Sequence, residues 1–435
     1  MESIWNLTEG MPQHAPLQGS FKTDVAIIGG GIAGILCAYK LKEQGIDCAI
    51  IEANRLCSGV TQNTTAKISI QHGLIYNKIL NRYSMEYAQL YYEAQKCALD
   101  DYRKLCKDIS CDFEEKDSFV YSLDSRIEIE NEANALRKIG CTATFAENIN
   151  LPFRVKGAVC VAKQAEFHPL KFLKTIVKDL TVFENTRVLE LCGDQILTDK
   201  GKIQAKKIII ATHFPFLNKH GGYFLKLYQH RSYVLALKDT PNVGGMYVDA
   251  SNKGLSFRNA GDLLLLGGGG HRTGKKGGNW IELTTFARTH YPGYQEVCRW
   301  ATQDCISLDS IPYIGQYSKS TPGLYVATGF NKWGMTNSMV SANILTDMIM
   351  DKDNEFAKVF DPSRSILHPQ LAVNIVDSLI GILTPTAPRC PHLGCALKYN
   401  KQEHSWDCPC HGSRFTKEGE LINNPANGDK KMPHQ

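Results

Sequence analysis

The chain has no long apolar run. Nowhere among its 435 residues are there the roughly 18 consecutive apolar residues that a membrane-spanning helix needs. The best candidate, 371–383, is short and interrupted by Asp377. No basic patch followed by an apolar segment opens the chain, so no signal peptide is expected. Charge of one sign is also scarce. Lys and Arg total 49 against 44 Asp and Glu, a net +5 that is dispersed and nowhere interleaved with aromatics, which argues against a nucleic-acid partner. Low complexity is missing too, because the 36 glycines cluster in a few places, as tight turns and ligand loops require. Together these absences lead to the expectation of a soluble, cytoplasmic protein without a membrane span. Its length exceeds what one core serves, so two or three domains are expected.

Cysteines fall into two groups. Eleven are scattered between Cys37 and Cys305 without repeated spacing and read as buried free thiols. Four more, Cys390, Cys395, Cys408 and Cys410, crowd into 21 residues. That density calls for a metal, a disulfide, or both.

Near the start, Asp24-Val25-Ala26-Ile27-Ile28 reads as a strand buried on both faces. Gly29-Gly30-Gly31-Ile32-Ala33-Gly34 follows at once, then a helical pattern to Gly45, then the apolar run Cys48-Ala49-Ile50-Ile51 ending in Glu52. The pattern has a physical logic. Gly29 permits the turn, Gly31 lets a pyrophosphate approach the backbone, and Gly34 lets the helix pack on the strand. The helix start stabilises phosphate charge. Glu52 stands where an acid accepts hydrogen bonds from a ribose hydroxyl. Later segments return to this theme: Phe183-Glu184-Asn185-Thr186-Arg187-Val188 reads as a strand, Lys207-Ile208-Ile209-Ile210-Ala211-Thr212 as another, and Leu324-Tyr325-Val326-Ala327-Thr328-Gly329-Phe330 as a strand entering a glycine loop before a helix.

These pieces resemble, in order and over about residues 20 to 350, the FAD-dependent oxidoreductases of the D-amino-acid oxidase, glycine oxidase and sarcosine oxidase superfamily. Matching them are the opening motif, Glu52 with Arg55, Ser58-Gly59-Val60-Thr61, Val188, Ala211-Thr212, Asp309 through Gly315, and Gly329-Phe330-Asn331-Lys332-Trp333-Gly334-Met335. The resemblance implies FAD held by Gly29, Gly31, Gly34, Glu52, Arg55, Thr64, Val188, Gly329, Gly334 and Met335. Glu52 would hold the adenosine ribose, Val188 would meet the adenine region through its backbone, and Gly334-Met335 would lie against the flavin. It further implies an α/β fold in which a Rossmann-like FAD domain (about 20–80, 151–215 and 309–355) is interleaved with an α+β substrate domain (about 81–150 and 216–308). The first insertion reads helical over 83–106 and 125–139, and the second reads strand-rich. Candidate catalytic residues are His271, Tyr233 and Lys67, with His72 as a further candidate and Arg272 as a partner for a substrate carboxylate. Thr336 stands where some sarcosine oxidases carry Lys, which sets the sarcosine-specific assignment aside.

At the other end, Cys390-Pro391-His392-Leu393-Gly394-Cys395 and Cys408-Pro409-Cys410-His411-Gly412-Ser413 give C-x-H, fifteen residues, then C-x-x-H. Two Cys and two His also suit zinc. Against zinc stand the mixed Cys/His composition of each half, the glycine soon after each His, and the extra pair Cys395 and Cys410. The two halves resemble the Rieske domain of cytochrome bc-type complexes. By that resemblance Cys390 and Cys408 bind one iron of a [2Fe-2S] cluster, His392 and His411 bind the other, and Cys395 and Cys410 form a disulfide. Two departures stand out. Phe415 replaces a hydrogen-bonding Tyr, so a reduction potential below the top of the Rieske range is expected. The last strand gives way to the polar tail 427–435, so the small all-β domain (361–435) is expected to draw strands from 365–383, notably 370–376. The expected function is oxidation of an amine or amino-acid-like molecule by hydride transfer to flavin, with the cluster relaying electrons to an external acceptor, protein or quinone; the reverse order, with an external donor feeding electrons through the cluster to the flavin, stays open. The alternative is an electron-transfer or redox-sensing protein with little turnover.

Overall fold

The computed structural model describes residues 2–251, 254–277, 279–385 and 388–432. Three sheets organise it. In the first, five strands run parallel in the order Leu324–Thr328, Gly201–Ile210, Gly19–Ile28, Cys48–Ile51 and Thr181–Phe183, with Tyr313–Gln316 antiparallel on one edge. Val25 through Ile28 lie opposite Cys48 through Ile51 on one side and Lys207 through Ile210 on the other. Helices cover the centre of the sheet, so the closing residues Val25 to Ile28 and Ile208 to Ile210 are apolar and buried, Ala26 and Ile27 wholly so. The helix Ile32–Glu43 packs against both this sheet and the late helix Gly334–Ile349. Any Cβ on Gly34 would run into the carbonyl of Gly29, so the first turn of the helix can approach the strand only through glycine.

The second sheet has nine strands. Its path runs Gln295–Ser307, Leu227–Lys238, Leu263–Arg272, Ser256–Ala260, Met246–Asp249, Glu114–Ser122, Gly157–Glu166 and Lys67–Ile68, with Ala143–Ala146 paired to Gly157–Glu166. Two segments expected in the FAD part therefore belong here. Gly157–Glu166 pairs with Glu114–Ser122, and Lys67–Ile68 pairs with Gly157–Glu166. The helices of the first insertion span Met85–Cys106 and Arg126–Lys138 and start at Ser84 and Ser125, whose hydroxyls accept the N–H groups of Tyr87 and Glu128. Between them lies the strand Glu114–Ser122, which a purely helical reading missed. The strand expected across 183–188 is interrupted: Asn185 has φ +48°, and the chain resumes as the strand Val188–Cys192.

The third sheet is small and antiparallel: Lys398–Asn400, Ser405–Asp407, Arg414–Thr416 and Leu421–Asn423. The segment expected to add strands to it is instead the helix Pro369–Leu383. Pro369 supplies the fixed φ that suits a first helical turn, and the β-branched residues that suggested a strand point away from the protein. Arg364 clamps the approach to this unit by a bidentate ion pair with Asp309, at 2.7 and 2.9 Å. Among the scattered thiols, Cys97 and Cys192 are exposed and Cys298 is half-buried, while the others are buried as expected. No described helix is long and apolar enough to cross a membrane.

Candidate active site and metal centre

One continuous cavity of about 530 Å³ lies where the three sheets meet. Gly29, Gly31, Glu52, Arg55, Thr64, Val188, Gly329, Gly334 and Met335 all line it, with Lys67, His72 and Tyr233. Gly34 stands behind the wall, as its packing role requires. At Gly29 φ is +113°, and a Cβ there would meet the Ala211 carbonyl oxygen at 2.5 Å. At Gly31, by contrast, the space a Cβ would fill is open apart from Thr61 Oγ1 at 3.2 Å, so the cradle is shaped for close approach to the backbone. Gly31 caps the helix without a side-chain hydrogen bond, and Trp333 does the same for Gly334–Ile349. Two helix N-termini thus open on the cavity, as an anionic dinucleotide needs.

Glu52 accepts the N–H groups of Gly30 at 2.7 Å and Asn54 at 2.8 Å. Burial pushes its carboxyl upward, and these two bonds oppose that rise. Arg55 is held by Glu184, at 2.8 Å. Glu184 is fully buried and also accepts the N–H groups of Leu56 and His14 at 2.7 and 2.9 Å. It was not anticipated from the sequence, because its partners lie far away along the chain.

Lys67 is buried, and its Nζ donates to Thr65 Oγ1 at 3.2 Å. Burial, then repulsion by Arg258, lowers its pKa to about 7, against the attraction of Glu166. Arg258 pairs with Glu166 at 3.2 Å and donates to the carbonyls of Thr65 and Ala66, both at 2.9 Å, fixing the turn that carries the lysine. His72 bonds Tyr91, Ser69 and Thr336 and stacks on Trp333 at 4.9 Å. Burial lowers its pKa to about 3, so its ring is neutral at physiological pH. Three further cavity residues had no role assigned from the sequence: His230 and Asp304, and Lys332 of the Gly329 to Met335 motif. Lys332 follows Asn331, and both have positive φ, +73° and +53°. Such backbone clusters at functional sites. Burial raises the Asp304 carboxyl to about 6, against the pull of Lys332 and Arg231; burial also lowers Lys332, which Asp304 opposes.

Two anticipated residues stand elsewhere. His271 does not line the cavity; it stacks behind Tyr233 with ring centres 5.8 Å apart. Arg272 meets a carboxylate of the protein itself, Asp377 at 3.0 Å, and donates to the Cys410 carbonyl at 3.2 Å. Tyr233, although it borders the cavity, donates its hydroxyl to Glu403 at 3.0 Å. Burial and that carboxylate push the phenol far up, so it holds its proton at neutral pH.

Glu403 belongs to the third unit and anchors a buried ionic network. It pairs with Arg231 across the junction and with Arg414 at 2.9 Å, and Arg414 pairs with Asp407 at 2.9 Å. The junction is sealed further by Gln229, whose Nε2 donates to the carbonyls of His411 at 3.1 Å and Asn424 at 2.7 Å, and by Gln303, which donates to Gly412 O at 2.8 Å. Asn424 and Asn427 reach back to the first sheet: Asn424 donates to Phe214 O at 2.6 Å and Asn427 to Val188 O at 2.9 Å. The segment Leu421 to Asn427 is thereby part of the cavity wall.

The cysteine-histidine loops converge beside this wall. The imidazole rings of His392 and His411 are 5.0 Å apart. Nδ1 of His392 and both ring nitrogens of His411 are buried without a hydrogen-bond partner. Buried polar atoms are nearly always satisfied, so these orphans fit ligand positions. Burial lowers the two rings to about 4 and about 3, leaving them neutral, the form that binds metal. The Cys408 sulfur, as the nearest partner of the Cys390 thiol, holds Cys390 below its ordinary range against the effect of burial. Cys395 and Cys410 form a disulfide. The Cys408 sulfur lies within 4.8 Å of both disulfide sulfurs, but sulfurs bonded to each other offer no thiolate. The donor set is therefore two thiolates and two imidazoles, which fits a Rieske cluster. His411 is buried beside Phe214 and Phe224, with ring centres 6.3 and 6.2 Å away, and His392 Nε2 meets Asn218 Oδ1 at 2.8 Å.

A dinucleotide cradle with two helix N-termini and, beside its wall, a thiolate-imidazole centre define a flavin-dependent oxidoreductase joined to an iron–sulfur carrier. Residues 24–348 match the FAD dependent oxidoreductase family, and residues 364–433 the Rieske [2Fe-2S] domain. The chain belongs to that oxidoreductase family and carries the Rieske domain at its C-terminal end; its cofactors are FAD and a [2Fe-2S] cluster. It is 32% identical to the putative Rieske 2Fe-2S iron-sulfur protein YhfW of Bacillus subtilis (strain 168), over 98% of this chain and 96% of that protein. Its fold is shared with L-proline dehydrogenase from P. horikoshii (TM-score 0.67, 16% identity, 80% of this chain and 98% of that one). Glycine oxidase from Geobacillus kaustophilus is a comparable neighbour (TM-score 0.65, 18% identity, 80% and 100%).

Proposed function

We propose that the chain oxidises a small amine or amino acid and passes the reducing equivalents through the Rieske centre to an acceptor outside the chain. Bound FAD supplies a two-electron acceptor and the cluster one-electron carriage. The observation that carries this reading is the shared wall: one cavity is bordered by the glycine turn, by Lys67 and Lys332, and by Leu421 to Asn427 of the Rieske unit. Gly29, Gly31, Glu52 and Gly334 hold the dinucleotide. Lys332 supplies the positive charge for a substrate carboxylate. Lys67, neutral above pH about 7, takes the proton that an ammonium must lose before its nitrogen lone pair is free to assist oxidation. Tyr233 positions Glu403 through its hydroxyl, and His271 stacks behind Tyr233 away from the cavity. An amino-acid substrate is in keeping with the two fold neighbours, whose names refer to proline and glycine. The enclosure of His411, together with an open cavity, favours turnover over a simple carrier.

Anaerobic titration with a panel of amines and amino acids, followed by flavin bleaching, tests the substrate class. At least one carboxylate-bearing amine is expected to bleach the flavin, and Lys332→Met is expected to raise KM for it by about tenfold or more, as loss of one charge-assisted pair predicts. A flavin reduced by dithionite but by no member of the panel contradicts the proposal.

A further inference from the structure

The helix Pro369–Leu383 has its polarity inverted. Its polar residues Asn374 and Asp377, and Gly381, face the protein. Asn374 donates to Leu225 O at 3.1 Å and accepts from Arg272 at 3.0 Å. Asp377, the helix's sole ionisable residue, pairs with Arg272 at 3.0 Å and Lys275 at 2.6 Å. Gly381 abuts the Cys395–Cys410 disulfide so closely that a Cβ would collide with Cys410 Sγ, and its carbonyl accepts the Ala396 N–H at 2.9 Å. Outward point Val373, Val376, Leu379, Ile380, Ile382 and Leu383, each between 46% and 77% exposed. Among the described residues nothing covers them. An exposed apolar patch of this kind marks an interaction surface.

The shape of the patch selects its occupant. At 3.6 residues per turn, these six side chains sweep about 180° of the helix circumference, with no charge among them. A seam between two packed helices is a narrower stripe, so a second copy docking helix to helix would leave much of the arc in water. A lipid surface takes the whole arc, because a helix lying in the interface buries its apolar half at once. At 15 residues the helix is about 22 Å long, too short to cross a bilayer but suited to lie on one. Its inner face is already fixed, by Gly381 to the loops that hold the cluster and by Asp377 to Arg272 and Lys275.

We infer that this face seats the protein peripherally on a lipid bilayer. Seating brings the Rieske centre to the membrane surface, the phase in which lipid-soluble electron acceptors are held. Only that last consequence rests on the relay proposed above.

The test is flotation of the full-length holoprotein with phosphatidylcholine vesicles, alone and mixed with phosphatidylglycerol. The protein is expected to float with both, and high salt is expected not to release it, because the attraction is apolar. Combining Val376→Glu, Leu379→Glu and Leu383→Glu is expected to cut the bound fraction about tenfold or more, with FAD content, the cluster's EPR signal and dye-coupled turnover unchanged. Protein that stays in the soluble fraction at every lipid concentration overturns the inference. So does sedimentation showing a dimer that the triple variant dissociates, since a second copy would then cover the face. Flotation is read without turnover, so a protein that floats but passes no electrons contradicts the relay and supports the membrane face.

Discussion

At Gly29 two constraints act together: a backbone angle of +113° and a carbonyl 2.5 Å from where a Cβ would sit. Gly29→Ala is therefore expected to lose bound FAD while the Rieske centre persists. The ratio of flavin absorbance to iron content checks this. Lys67 carries a different kind of constraint. Burial has brought its pKa to about 7, well below an ordinary lysine. If its neutral form accepts the substrate proton, kcat/KM rises with pH through about 7 and levels off above. Lys67→Met is expected to remove that limb and to lower the plateau by about 100-fold, the lower end of general-base contributions. A profile identical in the variant contradicts the role. Phe415 is wholly buried in the Rieske core and has no hydroxyl to offer the cluster. Phe415→Tyr is expected to raise the reduction potential, as added donors to cluster or ligand sulfur do; spectroelectrochemical titration reads the shift.

At the scale of elements, the junction between the second sheet and the Rieske unit depends on Glu403 standing between Arg231 and Arg414. Burial alone would raise its carboxyl, but the two guanidinium groups outweigh it and the pKa is lowered. A carboxyl lowered by folding adds stability that is present above the ordinary glutamate range and is lost as pH falls through the folded value. Acid is thus expected to loosen the junction. Glu403→Gln leaves Arg231 buried without its counter-charge and is expected to cost about 3–5 kcal/mol, measured by denaturant unfolding at neutral pH. Several elements were legible from residues alone. The opening strand, glycine turn and helix announce themselves because each local preference agrees with the fold, and the cysteine-histidine loops do so because metal ligands need short spacings. Other features were hidden. The helix Pro369–Leu383 reads as strand by its β-branched residues, and the partners that hold it as a helix, Leu225 and Arg272, lie far away along the chain. The placement of Gly157–Glu166 in the second sheet, and the roles of Glu184 and Glu403, depend on partners distant in sequence. His271 and Arg272 looked catalytic because they end a strand beside four glycines, yet the docked Rieske unit occupies that strand end.

Across the whole molecule, the Rieske unit closes the flavin cavity instead of hanging from it. Asn424 bonds to Phe214, in the loop that follows Gly201–Ile210, and Asn427 to Val188, and Gln229 and Gln303 hold the loop that carries His411. The segment Leu421 to Asn427 of the Rieske unit consequently shares a cavity wall with the dinucleotide cradle, with the cluster loops beside it, and this is the basis for expecting electrons to cross between the two cofactors. The most direct measurement is rapid-freeze EPR of the anaerobic holoprotein mixed with a substrate that bleaches its flavin. The account predicts that the reduced-cluster signal grows within the same turnover as the bleaching. A flavin fully reduced by substrate beside a cluster that remains oxidised, although dithionite reduces it readily, would contradict the account.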